Sequence, residues 1–330
     1  MPTPQMILRW RFEFLIFDLS SSIIDLSSPV SNDSQRRSMI TTSSSRFLNL
    51  AHATRPQLAT FIPAFIMASL RESDGGGIMD AGEQNRFKKE AAKAAAQLVQ
   101  NGMIVGLGTG STAAYLVTEL GRRVADEGLR FTGIPTSERT AEQARSLGIP
   151  LVTLADVNEI DLTIDGADEV QLGTLSLIKG HGGALLREKI VAAASKRMAV
   201  IVDETKLVKR LGGTLAVPVE VVPFGWEATE RKLRAIGAGT ELRPGVDDKP
   251  YVTDGGHYIL DCAFGLIADP KKVARELDET VGVVEHGLFL GLAKQVFVGG
   301  PGGVKVLKQA ATRRKPGAKG KKKSKRARRR

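Results

Sequence analysis

Three times in this chain a short apolar run ends in a glycine-bearing turn with polar or charged residues, and helical spacing resumes beyond it. That repeat confines the fold more tightly than any other feature. In the first, Met103–Leu107 overlaps Gly106-Leu107-Gly108-Thr109-Gly110-Ser111-Thr112, and Ala114, Leu116, Val117 and Leu120 follow with helical spacing over Ser111–Ala125. In the second, Asp161-Leu162-Thr163-Ile164 runs into Asp165-Gly166-Ala167-Asp168-Glu169. In the third, Lys179-Gly180-His181-Gly182-Gly183 opens onto a helical pattern over Ala184–Ala194. Further helices are expected over Asn85–Gln100 and over Thr136–Leu147, the latter started by the cap-like Thr136-Ser137-Glu138 and stopped before Gly148; Met198–Val202 reads as another buried strand. Strands alternating with helices predict an α/β fold: a mostly parallel open sheet with helices on both faces. After about Gly213 the pattern becomes strand (Ala216–Val222), helix (Glu227–Ile236) and strand (Tyr251–Cys262), continued by Asp269–Leu277 and Val281–Phe289. This predicts a smaller α+β domain.

Charge separates the folded body from its ends. The net charge is +11, but residues 308–330 hold 13 Lys or Arg and no acid, and residues 1–79 hold 7 basic and 6 acidic residues. Residues 80–307 therefore carry 27 basic against 30 acidic residues, a net charge near −3. The basic character belongs to the tail and says nothing about an active surface. The expected organisation is an unstructured or transit-type extension over 1–79, a catalytic α/β domain over 80–213 rejoined by 290–307, a smaller α+β domain over 214–289, and a disordered basic tail over 308–330. Like charges in a low-complexity tail repel and resist folding. The tail has no aromatic residue for base stacking, so nucleic-acid binding is not expected. One cysteine, Cys262, excludes an intramolecular disulfide framework. No apolar run approaches the ~20 residues of a spanning helix, so no membrane insertion is expected. The leader has 11 Ser before position 50 but also four acids before position 34, which suits a plastid or other organelle transit segment poorly. A cytoplasmic location is expected, with an organelle as the alternative if residues 1–66 are a transit peptide.

The junctions carry the chemistry. Glycines at 106–110 let backbone approach an anion, a helix start supplies free N–H groups, and Ser111 and Thr112 add hydroxyls, which together suit a phosphate. The dinucleotide pattern wants glycine where Ser111 stands, and the nucleotide loop wants a lysine before it. The plainer alternative is a ligand-free strand-to-helix turn. Asp165 and Asp168 leave a strand where ligands of open α/β sheets bind, against the alternative of an Asp-rich turn with capping duty. The four histidines, His52, His181, His257 and His286, are scattered, so no metal site is expected. In the third junction Leu185, Leu186, Lys189, Ile190 and Ala193 share one side of the helix at roughly 100° per residue, with Glu188 opposite. Periodicity cannot tell whether Glu188 faces solvent or a pocket. The convergence of three such junctions suggests an enzyme acting on a phosphorylated small molecule.

With these segments in hand the chain resembles the type A ribose-5-phosphate isomerases. The resemblance rests on GLGTGST at 106–112, DGADEV at 165–170, KGHGGALLREK at 179–189, IVDETK at 201–206, PVEVVPF at 218–224 and TDGGHYILD at 253–261, and it covers roughly 85–307. It implies a homodimeric enzyme free of metal and cofactor. That enzyme would interconvert D-ribose 5-phosphate and D-ribulose 5-phosphate through a cis-enediolate, in the non-oxidative pentose phosphate pathway. By the family's pattern Glu188 is the general base, Lys179 stabilises the oxyanion, Asp165 helps open the furanose ring, and Asp168 orients hydroxyls or Lys179. Substrate contacts are expected from Thr109, Gly110, Ser111 and Thr112, from Gly166 and Ala167, from Gly180, His181 and Gly182, and from Lys206 and Lys88. The family commonly has glycine where this chain has His181, whose ring is expected to point outward. A sugar-phosphate sensor without turnover is the rival reading, but a mere binder needs no base. A nicotinamide-dependent reductase is weakened by Ser111.

Overall fold

Ala, Val, Ile and Leu fill nearly every position of several short runs here, and a strand of that composition must be covered on both faces. The computed structural model describes residues 80–309 apart from Asp248. The expectations for residues 1–79 and for the tail beyond 309 lie outside the described residues. In chain order the first elements are α1 (Ala81–Ala96), β1 (Ile104–Leu107), α2 (Ser111–Glu127), β2 (Thr132–Pro135), α3 (Glu138–Ser146) and β3 (Leu162–Asp165). Next come β4 (Glu169–Gln171), β5 (Leu177–Ile178), α4 (Leu185–Ala193), β6 (Met198–Asp203), a 3-10 turn at Glu204–Lys206, and β7 (Leu207–Val208). Then follow β8 (Val217–Val221), α5 (Trp226–Ala235), β9 (Gly239–Leu242), β10 (Tyr258–Ala263), α6 (Pro270–Asp278), β11 (Val283–His286), β12 (Leu288–Phe289), β13 (Ala293–Gly300) and β14 (Gly303–Lys308).

The main sheet has six strands in the order β14-β13-β6-β3-β1-β2, all parallel except the β13–β14 pair. Strand β6 shows why it is a middle layer. Its Ala199 and Ile201 join Ala91, Ala95, Leu116, Leu120 and Ala144 on one face, under α1, α2 and α3. Its Met198, Val200 and Val202 join Ala192, Phe289 and Val296 on the other. The second sheet, β11-β8-β10-β9, is antiparallel and packs Val217, Val219, Leu260 and Cys262 against Leu233 and Leu277 of α5 and α6. A small third sheet, β12-β5-β4-β7, joins the two strands between β3 and α4 to one strand after β6 and one after β11.

Caps place the helix ends. Ser137 Oγ accepts from Thr140 N–H at the start of α3, Asp269 accepts from Lys271 and Lys272 N–H with Pro270 at the first turn of α6, and Gly128 closes α2 in a left-handed conformation. Several strands were not expected from sequence, β4, β7, β13 and β14 among them as well as β2 and β9. β2 reads Thr-Gly-Ile-Pro, a turn composition, yet it pairs as the parallel edge of the main sheet, where a terminal proline costs no ladder bond. β9 was also unexpected, and the Tyr251–Cys262 run is strand only from Tyr258. Among the described residues no helix is long and apolar enough to cross a membrane.

Candidate active site

Register brings the motifs together. Leu107 pairs with Ile164, and Asp165 with Val200, so β1, β3 and β6 end side by side and release Gly108–Gly110, Asp165–Asp168 and Asp203–Lys206 at one edge. Gly108 sits so close to Asp165 that a Cβ there would overlap the carboxylate. That closeness lets Thr109 N–H reach Asp165 Oδ1 at 3.0 Å, while Gly166 N–H reaches the same oxygen at 2.7 Å.

The remaining oxygen, Asp165 Oδ2, faces Lys179 Nζ at 2.9 Å, and Glu188 Oε2 lies 3.3 Å from the same ammonium. Lys179 also donates to the Gly166 carbonyl at 2.8 Å. Asp165, Lys179 and Glu188 are 0%, 2% and 3% exposed. Apart from the ammonium, Asp165 Oδ2 and Glu188 Oε2 have no hydrogen-bond partner, an open valence that a buried site keeps for a ligand. Burial opposes the Lys179 charge, but the Asp165 and Glu188 carboxylates outweigh it and raise the pKa above that of an ordinary lysine. Burial, then the Asp165 charge, pushes Glu188 up to about 8 against the pull of Lys179. Burial also lifts Asp165, yet two backbone N–H groups and the closest ammonium contact hold its anion. One ammonium cannot balance two buried carboxylates, so the shared proton settles on Glu188. A carboxyl of that affinity can take a proton from carbon near neutral pH and return it.

A cluster of lysines forms at the same edge of the sheet. Gly299 pairs with Asp203, and the backbone at Phe87 rests directly on Gly299, which sets the start of α1 over the end of β6. Lys88 is thereby half-buried near Asp203 and Lys206; burial lowers its pKa, Asp203 raises it and Lys206 lowers it further. Helix α2 starts nearby at Gly110 (φ 110°) with no side-chain cap and no acid in its first turn. Thr112 Cβ lies against Gly166. Two lysines and an uncapped helix start suit a phosphate.

Comparison with known proteins gives the chain its relatives. The profile of the family described as Ribose 5-phosphate isomerase A (phosphoriboisomerase A) matches residues 132–303. The chain is 56% identical to the ribose-5-phosphate isomerase A of Synechococcus sp. over 226 residues, 68% of this chain and 98% of that protein. It is 58% identical over 225 residues to that of Gloeobacter violaceus, covering 68% and 97%. This chain belongs to the ribose 5-phosphate isomerase A family. Among solved structures, the isomerase A of Methanocaldococcus jannaschii superposes with a TM-score of 0.66 at 43% identity, covering 68% of this chain and all of that one. A D-ribose-5-phosphate isomerase in complex with phospho-erythronic acid superposes at 0.67 and 41%, covering 70% and 100%. The mostly parallel sheet with helices on both faces, beside a separate antiparallel sheet, is the architecture of an isomerase A.

Two of the expected site residues are placed differently from the expectation. The Thr109 hydroxyl sits in a buried cluster with Thr136 at 2.7 Å, Ser137 at 2.8 Å and Thr140 at 3.2 Å, while its backbone N–H holds Asp165. The His181 ring does not point outward: its Nε2 lies 3.0 Å from the Ala216 carbonyl, and its N–H donates to Asp168 Oδ2 at 3.1 Å. Asp168 thus anchors the glycine turn. Ser111 is exposed and Ala167, Gly166 and Gly110 are half-buried along the same edge. On α4 the buried residues are Leu185, Glu188, Val191 and Ala192, whereas Ile190 and Ala193 are exposed. Of the expected side only Leu185 is buried; the buried arc turns away from Leu186 and Ile190 and takes in Glu188.

Sequence reading missed Tyr251 and Arg243. Tyr251 Oη packs on Gly183 (φ +81°), where any side chain would overlap it, and Arg243 reaches the carbonyls of the glycine turn. No motif spacing signals either, because both come from the second sheet's loops. Among the described residues Asp278, Glu285 and His286 bring three metal-type donor atoms together. Lys189 Nζ already fills that space, 2.6 Å from Glu285 Oε1 and 3.3 Å from His286 Nδ1. A depression of about 820 Å³ at the opposite, amino-terminal edge of the sheet, lined by Asn101, Arg130 and Phe131 among others, holds none of the groups described above.

Proposed function

We propose that this chain interconverts D-ribose 5-phosphate and D-ribulose 5-phosphate as follows. The substrate phosphate binds at Lys88, Lys206, Ser111, Thr112 and the start of α2. Asp165 assists opening of the furanose ring. The Glu188 carboxylate takes the C2 proton of the open-chain aldose, leaving a cis-enediolate, and returns it to C1 while the hydroxyl proton passes from O2 to O1. Lys179 and the Gly182 N–H of the glycine turn oppose the charge on the oxygens. Asp168 keeps that turn in place, and Gly166, Ala167, Gly180, His181 and Gly182 line the sugar.

The observation that carries this reading is the buried Lys179 between Asp165 Oδ2 and Glu188 Oε2, each left without another partner. No metal or cofactor enters the proposal, since Lys179 supplies the positive charge at the oxyanion. Incubation with ribose 5-phosphate and a chelator, followed by NMR, tests it: ribulose 5-phosphate is expected to accumulate to equilibrium. No conversion, or conversion only with added metal, overturns it.

The rest of the proposal concerns organisation. Residues 80–213 with 290–307 act as the catalytic domain and 214–289 as the smaller domain, a division supported by the separate core under the second sheet. A homodimer is proposed from the family resemblance, and Phe224 (95% exposed) and Val281 (75%) leave apolar surface for a second copy. Nucleic acid is not a proposed partner, and the cytoplasm is the proposed compartment, with a plastid the alternative if 1–66 is a transit peptide.

A further inference from the structure

Arg243 follows β9 in the second sheet, is 9% exposed, and is held by Asp261 of β10 through two contacts, Nε to Oδ2 at 2.9 Å and Nη2 to Oδ1 at 2.5 Å. A guanidinium gripped in this bidentate way cannot swing. Its remaining nitrogen, Nη1, donates to two successive carbonyls of the glycine turn, Gly180 at 3.1 Å and His181 at 3.0 Å. Each carbonyl belongs to a rigid peptide plane whose N–H points the opposite way. The Gly180 carbonyl shares its plane with the His181 N–H, and the His181 carbonyl with the Gly182 N–H. The first of these N–H groups meets Asp168 Oδ2 at 3.1 Å. The second has no protein acceptor among the described residues, and helix α4 begins three residues on with no side-chain cap.

We propose that Arg243, held by Asp261, is a positioning residue: by fixing two carbonyls behind the glycine turn it aims the Gly182 N–H at the enediolate oxygens and keeps Lys179, one residue upstream, in register with Glu188. This rests on the isomerase reading above and adds a part of the second sheet to it. The turn's own backbone bond, Gly183 N–H to the Gly180 carbonyl at 3.0 Å, closes it between two flexible residues, Gly180 (φ +102°) and Gly183 (φ +81°), and leaves the His181 carbonyl for Arg243 to fix. Lysine cannot replace arginine here, since one ammonium cannot grip both carboxylate oxygens and bridge both carbonyls.

The experiment compares R243K and the charge-neutral pair R243Q/D261N with the parent, in kcat for ribose 5-phosphate and in inhibition by two probes. Phospho-erythronic acid carries a carboxylate where the enediolate would carry its charge; inorganic phosphate senses only the anion end. Positioning predicts kcat lower by about tenfold or more, affinity for phospho-erythronic acid lower by a similar factor, and inhibition by phosphate within twofold of the parent. A purely structural role would lower the active fraction or weaken both probes alike, and that result overturns the proposal, as does a kcat within twofold of the parent. Should R243Q/D261N fail to fold, R243K decides, because it keeps the charge opposite Asp261. E188Q measured alongside separates the two ideas. If E188Q abolishes turnover while both Arg243 variants keep it, positioning fails and the isomerase reading stands; if E188Q turns over normally, the reading itself fails.

Discussion

Glu188 Oε2 lies 3.3 Å from Lys179 Nζ, and both side chains are sealed from solvent. The pair is short of one positive charge, because Asp165 claims the same ammonium at 2.9 Å. Burial and the Asp165 charge accordingly lift Glu188 to about 8. The base form is the active one, so kcat/KM is expected to climb with pH through that value and to show no falling limb from Lys179, whose pKa is raised. Stability runs the other way. A carboxyl whose folded pKa exceeds its ordinary 4.5 contributes stability below about 4.5 that is lost as pH rises through about 8. Tm measured from pH 5 to 8 is expected to fall more steeply in the parent than in E188Q; equal slopes would show that Glu188 is not the titrating group.

Replacing Glu188 by glutamine keeps shape and hydrogen bonding but removes the base. E188Q is expected to lower kcat by ~10² or more with KM little changed. Steady-state kinetics with ribose 5-phosphate checks this, and unaltered kcat would remove Glu188 from the mechanism.

Burial lowers the pKa of Lys88 against the pull of Asp203, and the nearby Lys206 adds to the lowering, an arrangement that a bound dianion would relieve. K88A and K206A are each expected to raise KM about tenfold with a small change in kcat, since losing a charge-assisted contact costs about 1.5–3 kcal/mol. A loss confined to kcat would place these lysines elsewhere in the mechanism.

Gly108 touches the Asp165 carboxylate, so a single methyl group must displace it. G108A is expected to fold with a lower Tm and to lose most activity, through the broken Thr109 N–H to Asp165 contact. Activity near that of the parent would show that Asp165 tolerates movement.

Lys308 closes β14, paired with Gln295 of β13, and Gln309 N–H still reaches the Lys294 carbonyl. The relatives match over 97–98% of their length within 68% of this chain, so the isomerase body folds in them without a comparable tail. Truncation after Gln309 is expected to leave kcat and KM unchanged, and a loss of turnover would give the basic tail a catalytic part.

Much of the sheet was legible because its strands are buried on both faces. Met103 to Val105 and Met198 to Val202 are apolar without alternation, and the glycine turns at Gly108–Gly110 and Gly180–Gly183 do open onto helices; the turn at Asp165–Asp168, also expected to be a strand-to-helix junction, leads instead into strand β4. Thr132–Pro135 was not legible: its strand character comes from pairing with β1, not from its own residues. The loop role of Tyr251 was hidden in the same way, since the apolar and β-branched residues around it resemble a strand.

Glu188 marks the boundary most clearly. Its arrival opposite Asp165 and Lys179 depends on which arc of a nine-residue helix is buried. Counting apolar residues favours the arc of Leu186 and Ile190, but packing on β3 and β6 uses the arc of Leu185, Val191 and Ala192 instead. Local sequence alone determined the parallel sheet, the glycine turns and the types of residue at each strand end, because hydrophobic period and backbone freedom are properties of neighbouring residues. Only the tertiary structure decided that Glu188 is buried, that Thr109 spends its hydroxyl on Thr136, Ser137 and Thr140, and that Arg243 braces the glycine turn. Each of these is settled by contacts between segments far apart in the chain, whose energies depend on a shape that no one segment contains.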